Sequence, residues 1–84
     1  MDCYHIIGLR VKHRTTGAAK LQEMLTKFGC HIKLRVGLHE TGEGFCSDDG
    51  VILLQVCGEP ETIREMLDAF DKLDGVKAKL MELD

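Results

Sequence analysis

Apolar and polar residues alternate along several segments of the chain, and two stretches between them repeat apolar residues at helical spacing. Residues 4–13, 31–40 and 76–81 alternate with period two, which predicts strands with one apolar and one polar face. Residues 51–56 are almost continuously apolar, as expected of a central strand covered on both faces. Helices are predicted where apolar residues recur every three to four positions. These positions are Ala18, Leu21, Leu25 and Phe28 in the first helix, and Ile63, Leu67, Phe70 and Leu73 in the second.

Threonine, proline and glycine residues indicate where these elements end. Thr15 or Thr16 is expected to cap the first helix by accepting a backbone N–H bond. Gly29 is expected to end that helix in the left-handed conformation. Pro60 suits the first turn of the second helix. The polar, glycine-rich segment 41–50 is interpreted as a mobile loop.

The predicted order is strand, helix, strand, strand, helix, strand. This order predicts an α+β fold, a ferredoxin-like βαββαβ sandwich whose four-stranded antiparallel sheet has both helices on one face. A chain of 84 residues forms one such domain, residues 1–84. The expected core is Leu9, Val11, Leu21, Leu25, Leu34, Val36, Leu54, Val56, Leu67, Phe70 and Leu80.

The polar faces of the predicted strands concentrate basic residues on the sheet face away from the helices. Seven of the eleven basic residues fall there: Arg10, Lys12, Arg14, Lys33, Arg35, Lys77 and Lys79. Apolar residues lie among them, and a small domain gains stability by covering such a face. We therefore expect a homo-oligomer, at least a dimer. Its expected interface residues are Ile6, Arg10, Lys33, Val51 and Leu53. A solvated face remains the alternative, because edge strands often carry lysine to prevent aggregation.

Nucleic acid is disfavoured as a partner of this face. The net charge is −3, and Tyr4 is the one aromatic residue on the predicted central strands. RNA-binding sheets of this topology stack bases on several aromatic side chains.

The turn that leads into the first helix is a candidate ligand site. Thr15, Thr16 and Gly17 open the helix, where free N–H groups and the helix dipole favour a carboxylate or phosphate. Arg35 of a neighbouring subunit would add a charge-assisted pair. The predicted ligand is a small carboxylate, and the alternative interpretation is an ordinary capped turn.

A second hypothesis is a metal-binding module that uses His39 and Cys46. Imidazole and thiolate are ligands for zinc and nickel. The sequence contains no CxxC, HxH or HxxxH pair in support of a metal site. The primary expectation is therefore no metal, and the sequence identifies no cofactor.

Four cysteines are present, Cys3, Cys30, Cys46 and Cys57, and they are expected to be reduced thiols. No leader peptide and no apolar stretch of membrane-spanning length appears, so a cytoplasmic location without membrane association is expected. No phosphate-binding glycine loop, nucleophile elbow or ordered triad is visible, so no catalytic residue is predicted and the chain is not expected to be an enzyme.

The second half of the chain carries a family resemblance. Residues 32–37 read Ile-Lys-Leu-Arg-Val-Gly and enter a polar loop, and residues 75–79 read Gly-Val-Lys-Ala-Lys. This pattern resembles a family of small regulators of the iron-only hydrogenase system, which is similar to ACT domains and to the C-terminal domain of nickel-responsive repressors. The resemblance implies a ferredoxin-like fold, an oligomer, and a regulatory role exerted with a ligand or a protein partner. Gly17 matches the ACT ligand position, whereas the paired histidines of the nickel repressors are missing.

Overall fold

In the computed structural model of the chain, the described residues are 2–12, 14–42 and 45–83. For residue 2 and for residues 14–18, 38–42 and 45–49 the description is confined to the backbone.

In the described part of the chain, four strands and two helices follow one another in the predicted order. A single 3-10 turn, Gly29–His31, follows the first helix. The four strands form one antiparallel sheet in the order β2-β3-β1-β4, so β1 and β3 are central. The fold is α+β, and this order is consistent with a ferredoxin-like arrangement. The elements are β1 (Asp2–Val11), α1 (Arg14–Lys27), β2 (Ile32–Gly42), β3 (Phe45–Gly58), α2 (Pro60–Asp71) and β4 (Val76–Glu82).

One core cluster joins both helices to the sheet. The rings of Phe28 and Phe70 lie 6.0 Å apart at its centre. The buried strand residues share one face of the sheet, because Leu9 lies opposite Ala78 and Ile7 lies opposite Leu54. The buried residues are Ile7, Leu9, Val11, Leu21, Leu25, Phe28, Leu54, Val56, Ile63, Met66, Phe70 and Ala78.

Most of the predicted core is confirmed, with a shift of one position in α2. Met66 is fully buried, whereas Leu67 is only partly buried and packs against the cluster, as Leu80 does. Apolar residues occupy both positions, so their order in the sequence did not indicate which one faces the sheet.

The prediction that Leu34 and Val36 belong to the core is wrong. Ile32 lies opposite Val56 and Leu34 lies opposite Gln55, so two residues of β2 correspond to one of β3. This is the pattern of a β-bulge, and it shifts every later β2 residue to the other face. Leu34 is 55% exposed and Val36 is 40% exposed.

The interpretation of residues 41–50 as a mobile loop is also wrong. Thr41 pairs with Cys46 and Gly42 pairs with Phe45, so β2 and β3 form a paired ribbon almost to their connection, with a register irregularity between His39 and Thr41. Strand β1 pairs with β3 only as far as Val11, opposite Gly50. A two-stranded ribbon beyond the other strands has little core to face, which is why polar residues and glycine are compatible with it.

The predicted helix ends are corrected in two places. Helix α1 begins at Arg14, so Thr15 and Thr16 lie within its first turn rather than ahead of it. Gly29 is not left-handed; it begins the 3-10 turn instead. The left-handed glycine lies after α2, where Gly75 has a φ of 77°.

Candidate association surface on the open sheet face

The sheet positions that alternate with the buried ones form a second face, which we call the open face. Their register is continuous across the four strands: Val36 lies opposite Leu53, Leu53 opposite Gly8, and Gly8 opposite Lys79. The residues of the open face are Leu34 and Val36 of β2, Val51, Leu53 and Gln55 of β3, Ile6, Gly8 and Arg10 of β1, and Lys77, Lys79 and Met81 of β4.

The β2–β3 half of the open face is apolar except for Gln55. Leu34, Val36, Val51 and Leu53 are between 39% and 55% exposed and lie on two neighbouring strands. Met81 adds a side chain that is 56% exposed at the far edge, on β4. Contiguous exposed apolar residues of this kind make this half the candidate association surface.

The β1–β4 half of the open face carries cations. Arg10 lies directly opposite Lys77, and Lys79 lies opposite Gly8 in the next row. Because glycine has no side chain, the row of Lys79 has no bulky neighbour on β1. A cationic group therefore borders the apolar half.

The prediction that seven basic residues share this face is corrected to three, Arg10, Lys77 and Lys79. Lys33 lies at the bulge, so it does not continue the row pattern. Arg35 lies opposite the buried Leu54, on the helix side of the sheet. Lys12 follows the end of β1, and Arg14 begins α1. The bulge in β2 and the end of β1 at Val11 are the physical reasons why the other four basic residues do not share this face.

Two cysteines form a disulfide, which corrects the expectation of four reduced thiols. Cys3 of β1 bonds Cys57 of β3, and their Cα atoms are 4.2 Å apart. The two residues are 54 positions apart in the sequence, so their spacing gave no signal. Cys30, in the 3-10 turn, is a free and exposed cysteine.

The predicted ligand residues fall on one side of the sheet. Thr15, Thr16 and Gly17 lie in the first turn of α1, and their side chains are outside what the structure describes. The Arg35 guanidinium donates a hydrogen bond of 3.5 Å to Gln22 Oε1 on α1. Gln22 lies five residues beyond Gly17, which is about 7.5 Å along a helix. Arg35 therefore reaches the helix of its own chain, and no neighbouring subunit is needed to bring it to α1.

The metal hypothesis rests on residues whose side chains lie outside the described part. By register, His39 lies opposite Gly50 and Cys46 lies opposite Thr41, so the two are near each other along the ribbon. Among the residues with described side chains, no group of three or more histidines, cysteines and acids could hold a metal ion.

A groove of about 650 Å³ lies between the end of α1 and α2. Its rim carries Lys27, Arg64 and Lys72 together with Glu61, Glu65 and Asp68. Three cations and three anions give the rim no net sign that would select a charged ligand. Its apolar lining consists of Met24, Phe28, Ala69 and Leu73.

No helix in the described part of the chain is long and apolar enough to cross a membrane.

Comparisons with known proteins support the fold. The chain matches no model of a protein family and no curated protein sequence. It is similar to a solved structure, that of the uncharacterized protein TM1266 from Thermotoga maritima. The two share 25% identity with a TM-score of 0.81, and the match covers 95% of each chain. This small domain and the chain therefore share their architecture over nearly their whole length.

Proposed function

We propose that the protein is a small cytoplasmic regulatory or ligand-sensing module whose copies associate through the open face. The observation that carries the proposal is the exposed apolar half formed by Leu34, Val36, Val51 and Leu53. The family resemblance of the sequence adds a regulatory role, with a link to the iron-only hydrogenase system. The role is one of binding rather than catalysis.

The uneven distribution of charge on the open face restricts how two copies can pack. A twofold axis along the strands, through the middle of the apolar half, places each apolar half on that of the other copy. The cations Arg10, Lys77 and Lys79 then lie on the two outer flanks, away from the cations of the other copy. Packing the whole faces with the axis across the strands instead places cations against cations, which costs free energy.

Variants with a charge in the apolar half test the association. Val36→Glu and Leu53→Glu each place a carboxylate where a second copy would exclude water. We expect wild-type protein to sediment as a dimer or larger species at tens of micromolar protein. Each variant should raise the dissociation constant at least about tenfold.

Thr26→Glu is the matched control, because Thr26 is exposed on α1, away from the open face. Circular dichroism of all variants shows whether the fold persists. A wild-type protein that sediments as a monomer, or a control that dissociates as much as Val36→Glu, would contradict association through this face.

The ligand part of the proposal places a small carboxylate between the first turn of α1 and Arg35. The hydrogen bond from Arg35 to Gln22 supports this arrangement, because it holds the guanidinium beside α1 of the same chain. A thermal-shift screen of amino acids and small organic acids tests it. We expect hits that Arg35→Ala weakens and that Gly17→Val abolishes by filling the approach to the backbone. Lys20→Ala, an exposed cation on the same helix, should leave them unchanged.

The alternative function is a metal-binding module that uses His39 and Cys46. The strand register supports this alternative because it brings the two residues near each other on the ribbon. To test it, wild-type protein, His39→Ala and Cys46→Ser are loaded with zinc or nickel and dialysed. Elemental analysis then measures the metal that each protein retains. Stoichiometric metal that both variants lose would favour this function, and metal-free wild-type protein would exclude it.

A further inference from the structure

The disulfide between Cys3 and Cys57 lies outside the hydrophobic core. Cys57 is two residues beyond Gln55 of the open face, and both cysteines are partly exposed. Neither belongs to the buried cluster that joins the helices to the sheet. The core is therefore complete without this bond, and both cysteine residues are partly in contact with solvent.

The backbone keeps the two cysteines together independently of the bond. Strands β1 and β3 pair from His5, opposite Val56, to Val11, opposite Gly50. Asp2 also pairs with Gly58, beyond the cysteines. The Gln55 side-chain amide donates a 2.9 Å hydrogen bond to the Cys3 carbonyl oxygen. After reduction the two thiols would remain neighbours on paired strands, ready to form the bond again.

The disulfide also lies at an irregular point of the sheet. The register between β1 and β3 shifts between Asp2 and His5. Cys3 and Tyr4 therefore belong to a stretch where ladder pairing is interrupted. Tyr4 in turn accepts a 2.8 Å backbone hydrogen bond from Leu83 N, after the end of β4. The disulfide thus cross-links the start of β1 to β3, next to the contact between Tyr4 and Leu83.

We propose that Cys3 and Cys57 form a reversible thiol–disulfide exchange site whose co-reactants are dithiols and disulfides. In the reductive direction a thiolate of the co-reactant attacks one sulfur of the pair. This forms a mixed disulfide and releases the other cysteine as a thiolate, which takes up a proton. The second thiol of the co-reactant then attacks the mixed disulfide. The protein gains two electrons and two protons, the co-reactant becomes a disulfide, and the reverse sequence oxidises the protein. The proposal is independent of whether copies associate.

Reduction would remove the cross-link at the start of β1, while the strand pairing and the rest of the domain persist. The bond closes a long loop, with its cysteines 54 positions apart, so its loss lowers Tm by more than about 10 °C. The exposed side chains of Tyr4 and Leu83 lie beside this cross-link. The redox state therefore changes how firmly this end of the sheet is held.

The test uses the full chain with Cys30→Ser and Cys46→Ser, so that Cys3 and Cys57 are the only thiols. Cys30 is removed because it is exposed and precedes His31, whose Nδ1 lies 3.1 Å from the Cys57 carbonyl oxygen. Aerobically purified protein is equilibrated with glutathione buffers of graded ratio and with dithiothreitol. Iodoacetamide labelling and intact mass then count the free thiols. Circular dichroism follows the fold, and the wild-type chain is titrated in parallel.

We expect no labels on the oxidised protein and two on the reduced protein, with a folded spectrum in both states. Exchange of the reductant for oxidised glutathione should restore the unlabelled form. Cys57→Ser in the same background should show the lower Tm of the reduced state under all buffers. Three results would overturn the proposal: a pair that dithiothreitol leaves unlabelled, reduction that occurs only with unfolding, or thiols that stay free in oxidised glutathione. The second would show a purely structural bond.

Discussion

Val36 and Leu53 face each other across β2 and β3 on the open face, and each side chain is 40% exposed. On a domain this small, two apolar residues in direct cross-strand contact would ordinarily lie on the covered face. Leu53 lies there because its chain neighbour Leu54 faces the core. Val36 joins it because of the bulge between Ile32 and Leu34, which adds one residue to β2. The bulge thus adds Leu34 and Val36 to the apolar half of the open face, and it places Arg35 on the helix side.

Truncating Leu34 tests this reversal of β2. Leu34→Ala should change the free energy of unfolding by less than about 1 kcal/mol, because the side chain is 55% exposed. Leu54→Ala is the matched control on the covered face, where the residue is 0% exposed. It should lower the free energy of unfolding by about 2–5 kcal/mol. Urea denaturation of dilute protein measures both, and equal losses would show that Leu34 is a core residue.

Gly75 should tolerate no side chain. Its φ of 77° is left-handed, and a Cβ there would lie 3.0 Å from the Lys12 carbonyl oxygen. The same two residues are joined by a 2.7 Å hydrogen bond from Lys12 N to Gly75 O, so neither can move away easily. Gly75→Ala should lower the free energy of unfolding by about 1–3 kcal/mol.

Gly29→Ala is the control for this prediction. A Cβ at Gly29 meets nothing within 4 Å, and its φ is not left-handed. The alanine should be neutral or slightly stabilising, because it restricts the unfolded chain. Chemical denaturation of both variants compares them. A strong loss at Gly29 would restore the left-handed cap that the sequence predicted there.

The order of elements could be predicted from the sequence because each periodic segment has its own period. The phase of β2 could not, since Ile32 to Val36 alternates equally well without a bulge. Of the predicted interface residues, Ile6, Arg10, Val51 and Leu53 lie in open-face register, whereas Lys33 lies at the bulge. The pairing of Cys3 with Cys57 depends on the register of two distant strands, which no local pattern contains. The prediction of association itself awaits the experiments proposed above.

Asp71 should stabilise the edge strand β4. The backbone N–H of Ala78 donates a 3.0 Å hydrogen bond to Asp71 Oδ1, at the end of α2. Asp71→Ala leaves this part-buried donor without its acceptor, so the free energy of unfolding should fall by about 1–3 kcal/mol. Asp71→Asn keeps an oxygen at the same position and should lose less. Hydrogen exchange of the Ala78 amide provides a local measurement, and unchanged protection in Asp71→Ala would contradict the role of this bond.

The like-charged pair on the open face should cost stability in the isolated domain. Arg10 and Lys77 lie directly opposite each other on β1 and β4, and like charges at such positions repel. Lys77→Glu places an anion opposite Arg10 and should raise the free energy of unfolding by about 0.2–1 kcal/mol at low salt. Lys72→Glu, at an exposed position after α2, controls for the change in net charge. The gain should shrink in high salt because both charges are exposed to screening ions. Urea titrations at two salt concentrations measure the free energy of unfolding of each variant. If Lys77→Glu loses stability at low salt and the control does not, a cation at position 77 is more stabilising than a carboxylate.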